Sequence, residues 1–138
     1  MKKYKVGYTQ GTFDLFHIGH LNLINNAKEQ CDYLIVGVNS DELVFKYKNK
    51  VTNIKETERA KIVNSIKGVD RVIITDTLDK TEILNHVNFD AIFIGDDWKG
   101  NQRWEDTKIA LSKRGIDVVF LPHTDGISTT DIVKKMNR

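Results

Sequence analysis

Two histidines stand three residues apart in His17-Ile18-Gly19-His20, just after the turn Gly11-Thr12-Phe13-Asp14. Imidazoles one helical turn apart face the same spot. A helix that starts there aims free backbone N–H groups and its positive dipole end at that spot too. Phosphate suits such a corner: imidazole N–H groups can donate to oxygens on which charge is building. Gly19, lacking a Cβ, lets a phosphate approach the backbone. A second glycine- and hydroxyl-rich turn, Gly126-Ile127-Ser128-Thr129-Thr130, opens the last helix, where Ser128 and Asp131 have capping-box spacing. The two familiar phosphate-loop patterns, G-x-x-x-x-G-K-[ST] and G-x-G-x-x-G after the first strand, are absent.

The elements that must hold these turns alternate along the chain. Apolar runs at Lys5–Thr9, Tyr33–Asn39, Arg71–Thr75, Ala91–Gly95 and Asp117–Leu121 read as strands. Helical patterns fall at about 19–30, 56–67, 79–87 and 102–113, with one more after Ser128. Ser40-Asp41-Glu42 signals a helix start, but the pattern decays into a lysine-rich stretch, 46–53, expected to be a mobile loop. Five strands alternating with helices imply one parallel α/β sheet with right-handed crossovers. Ligands then bind beyond the strands' carboxyl ends, near the switch point. That rule gathers the loops after Thr9, Asn39, Thr75, Gly95 and Leu121 along one edge.

Composition narrows the partners. Lys+Arg 21 against Asp+Glu 19 leaves a net charge of +2, which argues for neither nucleic acid nor a membrane surface. A single cysteine, Cys31, excludes an intrachain disulfide and fits a reducing, cytoplasmic setting, with the thiol expected as a small buried hydrophobe. At 138 residues, one domain over 1–138 is expected.

His17-Ile18-Gly19-His20 is the literal H-x-G-H signature of nucleotidyltransferases, and Gly126–Thr130 matches the G-I-S-T-[TS] signature of the small cytidylyltransferases. Glu58-Arg59, Val69-Asp70-Arg71-Val72 and Gly95-Asp96-Asp97-Trp98 match between them. In order and spacing, the chain resembles the cytidylyltransferase family, in particular its bacterial glycerol-3-phosphate branch, which supplies CDP-glycerol for teichoic acids and related polymers. The fold this resemblance implies is Rossmann-like: a doubly wound five-stranded parallel sheet, order 3-2-1-4-5, with helices on both faces.

The resemblance also implies roles. His17 and His20 contact the nucleotide phosphates and stabilise the transition state. Thr9, Gly11, Thr12, Phe13, Asp14 and Gly19 line the same pocket, while His123, Thr124, Gly126, Ile127, Ser128, Thr129 and Thr130 hold the β and γ phosphates from the other side. A lysine reaches the α-phosphate; the alignment slips by one residue, leaving Lys46 or Lys48, and Lys46 is preferred. Asp96 and Asp97 could bind metal, cytosine or ribose, and Trp98 could stack on a substrate or cover the pocket. Lys48, Arg59, Lys67, Asp70, Asp97 and Trp98 are the candidates for the acceptor side, Arg59 alternatively pairing with a glutamate of its own helix. The implied reaction is cytidylyl transfer from CTP to a small phosphorylated acceptor, sn-glycerol 3-phosphate first. Mg²⁺ rides on the triphosphate without a dedicated protein cage, and the enzyme is expected as a homodimer. Another alditol or amino-alcohol phosphate, ATP as donor, or a non-catalytic nucleotide-binding module are the alternatives. Two departures stand out: His123 and Lys67 occupy positions where the family carries arginine, and neither can fork onto phosphate bidentately.

Overall fold

The computed structural model describes residues 2–137. Its centre is a five-stranded parallel sheet in the order β3-β2-β1-β4-β5, formed by β1 (Tyr4–Gly11), β2 (Cys31–Asn39), β3 (Arg71–Thr75), β4 (Ala91–Gly95) and β5 (Asp117–Leu121). The expected topology and strand order are therefore present. The two central strands extend beyond the run of apolar residues at one end or both, because pairing with β2 carries β1 out to Gly11 opposite Val38.

Helices cover both faces. α1 (Ile18–Glu29) and α3 (Glu56–Asn64) bring Ile24, Ala27 and Val63 onto Leu34, Val36 and Val38 of β2. On the opposite face, α4 (Lys80–Ile83) and α5 (Gln102–Ser112) bring Ile83, Trp104 and Leu111 against Tyr8, Ile35 and Ile92. The alternation within β2 follows the two-residue period of a strand. Cys31 is a buried member of the first core and carries no bridge.

β1 and β4 pair only at Gly7 with Ala91 and Tyr8 with Ile92, then separate. Where the ladder stops, the Thr9 hydroxyl takes up the Phe93 carbonyl at 2.9 Å. This parting is the switch point, and the crevice opens above it. Thr9 is fully buried, and its hydroxyl is spent on closing the sheet below the crevice rather than offered to a nucleotide.

The expected loop over 46–53 is corrected in its first three residues, which are helical, while 49–53 carry no regular structure. Residues Asp41–Lys48 form α2, capped by Ser40, whose hydroxyl accepts from Leu43 N–H at 3.1 Å. Two buried side chains, Leu43 and Val44, suffice to anchor eight residues, while Lys46 points outwards. So short an apolar face is below what periodicity can register. Asn49 ends the helix with φ +53, a left-handed conformation that asparagine tolerates. The last helix, α6 (Thr129–Met136), starts at Ser128, whose hydroxyl accepts from Asp131 N–H at 3.1 Å.

Lys80 is an outlier in the second core. It is 6% exposed, donates to Leu78 O at 2.6 Å, lies 5.1 Å from the Trp104 ring centroid and makes no salt bridge among the described residues. Burial pushes its ammonium down from 10.5 to about 8. Between those values the unfolded chain keeps a proton the folded protein has released, so stability rises with pH through that window. The shift corresponds to a penalty on the order of 3 kcal/mol at pH 7. Lys80→Met is expected to raise the melting temperature at pH 7. Raising the pH from 8 to 10 should then stabilise the parent chain and not the variant, in parallel melts.

Candidate active site

His17 is the N-cap of α1. Gly19 N–H donates to His17 Nδ1 at 3.0 Å, and His17 N–H donates to His20 Nδ1 at 3.2 Å. The two histidines thus satisfy orphan N–H groups of the first turn that serine and glutamate satisfy in an ordinary capping box. Their rings stack, centroids 3.8 Å apart and planes inclined by 24°. Because both Nδ1 atoms accept, the ring proton of each neutral imidazole resides on Nε2. The site therefore holds two Nε2–H donors side by side.

Their surroundings keep them neutral. His20 packs at 5.3 Å from the Phe13 ring and 5.2 Å from Phe16. Burial, reinforced by the neighbouring His17, pushes His20 down to about 4, against a smaller upward pull from Asp14. Burial lowers His17 as well. Phe13 holds a left-handed φ of +55, unusual for an aromatic residue, and its ring lies where a Cβ on Gly11 would approach it to 3.1 Å. Glycine at 11 thus makes room for the ring that desolvates His20. Gly19 plays a comparable part: a Cβ there would stand 2.8 Å from the His17 ring and 3.6 Å from Ile127. Its smallness serves the packing of the cap and of the last motif, in addition to any approach by phosphate.

Beside His20 lies a cavity of about 500 Å³ between α2 with the segment after it and α6. Thr12, Phe13, Asp14 and His20 form its floor; Lys48, Lys50 and Asn53 stand on one wall, Thr129, Thr130 and Lys134 on the other. Asp14 holds both walls. Its carboxylate accepts from Asn53 N–H (2.8 Å), Asn53 Nδ2 (2.9 Å) and Ile54 N–H (2.9 Å), while its carbonyl accepts the Thr129 hydroxyl at 2.7 Å. A carboxylate so committed positions the walls and has little left for a ligand. Thr12 Oγ1 is met by Asn39 Nδ2 at 3.3 Å and by the Tyr47 hydroxyl at 3.2 Å.

Several expected residues lie elsewhere. Lys46, the preferred lysine, faces out from α2 and pairs with Glu42 one turn back at 2.9 Å, whereas Lys48 reaches the cavity. On a helix, two residues of separation turn side chains to opposite sides, a consequence a loop would not impose. Lys48→Ala is expected to reduce kcat/KM for the nucleotide about tenfold, the scale of one charge-assisted contact. Lys46→Ala should leave it unchanged in the same steady-state assay.

Arg59 corrects the acceptor assignment. Its side chain is wholly buried, and it donates to Ile54 O (2.8 Å), Thr12 O (2.7 Å), Asn39 O (2.7 Å) and Asp41 Oδ1 (2.6 Å). It pairs with Asp41 rather than with a glutamate of its own helix. Asp70 and Lys67 also fall away from the cavity, at the amino end of β3. Asp70 binds Lys28 there at 2.5 Å and accepts from Leu34 N–H at 2.8 Å. The five residues of β3 put about 16 Å between that edge and the carboxyl edge. The absence of an arginine at Lys67 therefore leaves this chain's own cavity untouched.

At the far end of the crevice, Asp96, Asp97 and Trp98 form a 3₁₀ turn directly after β4 and do not line the cavity. Asp96 Oδ1 accepts from His123 at both Nδ1 and the backbone N–H, and His123 Nε2 lies 2.9 Å from Asp125 Oδ1. Its bond to the Asp96 carboxylate pushes His123 above its ordinary value, and the same bond closes the β4 and β5 loops on each other. Thr124 accepts from Asn22 Nδ2 at 2.9 Å, tying the same loop to α1. Gly126 turns the chain with φ +78, bringing Ile127 towards Gly19. Trp98 is 41% exposed, with the Arg103 guanidinium 5.7 Å from its ring centroid. No helix among the described residues is long and apolar enough to cross a membrane.

Sequence reading missed Lys50, Asn53 and Lys134. The last was accessible in principle, since it stands four residues after Thr130 and so shares its helical face.

Comparison with known proteins shows the family. The family model described as Cytidylyltransferase-like matches residues 8–135. A glycerol-3-phosphate cytidylyltransferase of Bacillus spizizenii is 42% identical over 130 residues, 93% of this chain and 94% of that protein. A bifunctional protein HldE of Hyphomonas neptunium is 35% identical over 95% of this chain, which spans 27% of its length. Among solved structures, a lipopolysaccharide core biosynthesis protein of Thermoplasma volcanium superposes with a TM-score of 0.76 at 26% identity, covering 88% of this chain and 99% of its own. The two stacked imidazoles at the start of α1 thus sit in the sheet, crevice and motif order of a known group, and the chain is a nucleotidyltransferase belonging to the cytidylyltransferase-like family.

Proposed function

We propose that the protein transfers a cytidylyl group from CTP to a small phosphorylated polyol, sn-glycerol 3-phosphate first, releasing pyrophosphate. The observation that carries this reading is the stacked pair of Nε2–H donors of His17 and His20, of which His20 lines a cavity with lysines on both walls. An acceptor phosphate oxygen attacks the α-phosphorus, one P–O bond forms, the bond to the β-phosphate breaks, and its electron pair leaves on pyrophosphate. His17 and His20 donate to the α-phosphate and the bridging oxygen as charge builds there, and Lys48 neutralises the same group. No proton need leave either imidazole. The Ser128 and Thr130 hydroxyls and the backbone N–H groups of the first turn receive the outer phosphates at the start of α6, while the Thr129 hydroxyl stays on the Asp14 carbonyl. The glycerol phosphate acceptor is supported by the named Bacillus relative, whose length this chain nearly matches.

Mg²⁺ enters with the triphosphate in this reading, held chiefly by phosphate oxygens. The donor set of the chain supports that. Asp14 is the one carboxylate lining the cavity, and it is occupied by N–H groups. In the cluster Asp96, Asp97 and His123, Asp96 and His123 are already bound to each other. The metal would add charge neutralisation of the phosphates. The chain would act as a homodimer; exposed Ile74 on the edge strand β3 and exposed Ile62 on α3 support this, and sedimentation would test it.

Pyrophosphate release measured with four nucleoside triphosphates, Mg²⁺ and a panel of phosphorylated polyols tests the whole reading. Turnover is expected with CTP and glycerol 3-phosphate. Turnover with another pair would move the substrate assignment, and turnover with none would end it.

A further inference from the structure

Lys48 and Lys50 stand on one wall of the cavity and Lys134 on the other. Among the described residues none of the three makes an ion pair, whereas nearby Lys46 is taken by Glu42. Asp14, the only carboxylate lining the space, is bound to the N–H groups of Asn53 and Ile54. Like charges gathered round one empty space repel each other, and a polyanion placed between them converts that repulsion into attraction.

The arrangement along α6 says which part of a polyanion Lys134 meets. Thr130 and Lys134 are four residues apart and share a helical face, about 6 Å along the axis. Both line the cavity, with Val133 between them. A chain of phosphates that starts at His20 and passes the start of α6 at Thr129 and the Thr130 hydroxyl ends at Lys134.

We propose that Lys134 binds the terminal phosphate of the nucleoside triphosphate and keeps hold of it as pyrophosphate leaves. This rests on the cavity being the triphosphate site. Lys134 exchanges no proton in the step; it screens the charge that the departing electron pair places on pyrophosphate. It also makes the site count phosphates, because a diphosphate placed with its α-phosphate at His20 stops short of Lys134.

Titration calorimetry with CTP, CDP and inorganic pyrophosphate on the parent chain and on Lys134→Ala, Lys134→Arg and Lys135→Ala tests this. Lys134→Ala should weaken CTP and pyrophosphate about 10- to 100-fold, the range of a charge-assisted contact, and leave CDP unchanged. Lys134→Arg should restore most of the CTP affinity. Lys135, exposed on the same helix and outside the cavity, should be neutral when replaced. Equal weakening of CTP and CDP, an unchanged CTP affinity, or a rise confined to the acceptor KM would each overturn the assignment. Pyrophosphate release by the parent chain keeps the two levels apart. Turnover with CTP alongside a silent Lys134→Ala removes Lys134 alone, whereas no turnover with any nucleotide removes the function beneath it.

Discussion

Replacing His20 by alanine is expected to lower kcat by about 10²–10³, the loss of one preorganised donor at a developing oxyanion. The same loss is expected of His17→Ala, with a complication the structure exposes. His17 also caps α1 through Nδ1, and removing a cap costs about 1 kcal/mol of stability. His17→Asn separates the two roles, since asparagine can still accept from Gly19 N–H but places no donor where Nε2 stood. The rate of His17→Asn should fall as far as that of His17→Ala while its melting temperature stays near the parent's. If either alanine variant kept its kcat and lost only CTP affinity, the imidazoles would be ground-state ligands instead. The pH profile offers an independent check. With burial holding His20 near 4, the imidazole is already neutral at pH 6, so kcat at saturating substrates should carry no acid limb from His20 at the 6.5 of an ordinary histidine. The same displacement makes stability fall as the pH is lowered from 6.5 towards 4, because the unfolded chain takes up the proton first.

Arg59→Met should be the most destabilising single change in the site's scaffold, by about 3–5 kcal/mol, the usual cost of breaking a buried, fully bonded charge. The guanidinium joins four segments: the turn at Thr12, the end of β2 at Asn39, the start of α2 at Asp41 and the approach to α3 at Ile54. Methionine fills the volume but leaves three carbonyls and a carboxylate without their donor. Arg59→Lys should recover little, because one ammonium cannot reach four acceptors arranged for a planar fork. Urea unfolding with an unchanged m-value would measure the loss. Activity should fall with stability, since the α2 wall bearing Lys48 hangs from these bonds. A normal unfolding midpoint with weakened acceptor binding would restore Arg59 to the acceptor side.

The fold was legible before any coordinates because its signals are local and redundant. Five apolar runs and their intervening helices specify a parallel sheet, and handedness leaves few ways to connect it. The phosphate corner was legible for the same reason: His17, Gly19, His20 and the Ser128 cap act within one or two turns of their own helix. The start of α2 is legible at Ser40-Asp41-Glu42, but its extent to Lys48 is not, because Leu43 and Val44 gain their weight from tertiary burial.

Side-chain direction and partner choice are where sequence stopped. Arg59, Asp70 and Lys46 all carry charges that could meet a phosphate, and composition cannot say which of them is already bound within the protein. The structure commits Arg59 to backbone carbonyls, Asp70 to Lys28 and Lys46 to Glu42, and leaves Lys48, Lys50 and Lys134 facing one cavity. An ion pair depends on distances between segments distant in the chain, and only packing sets those. The sequence by itself determined that two imidazoles would stand at a helix start above a parallel sheet; tertiary structure decided that burial lowers the proton affinity of both, His20 among aromatic rings, and which cations remain free to join them.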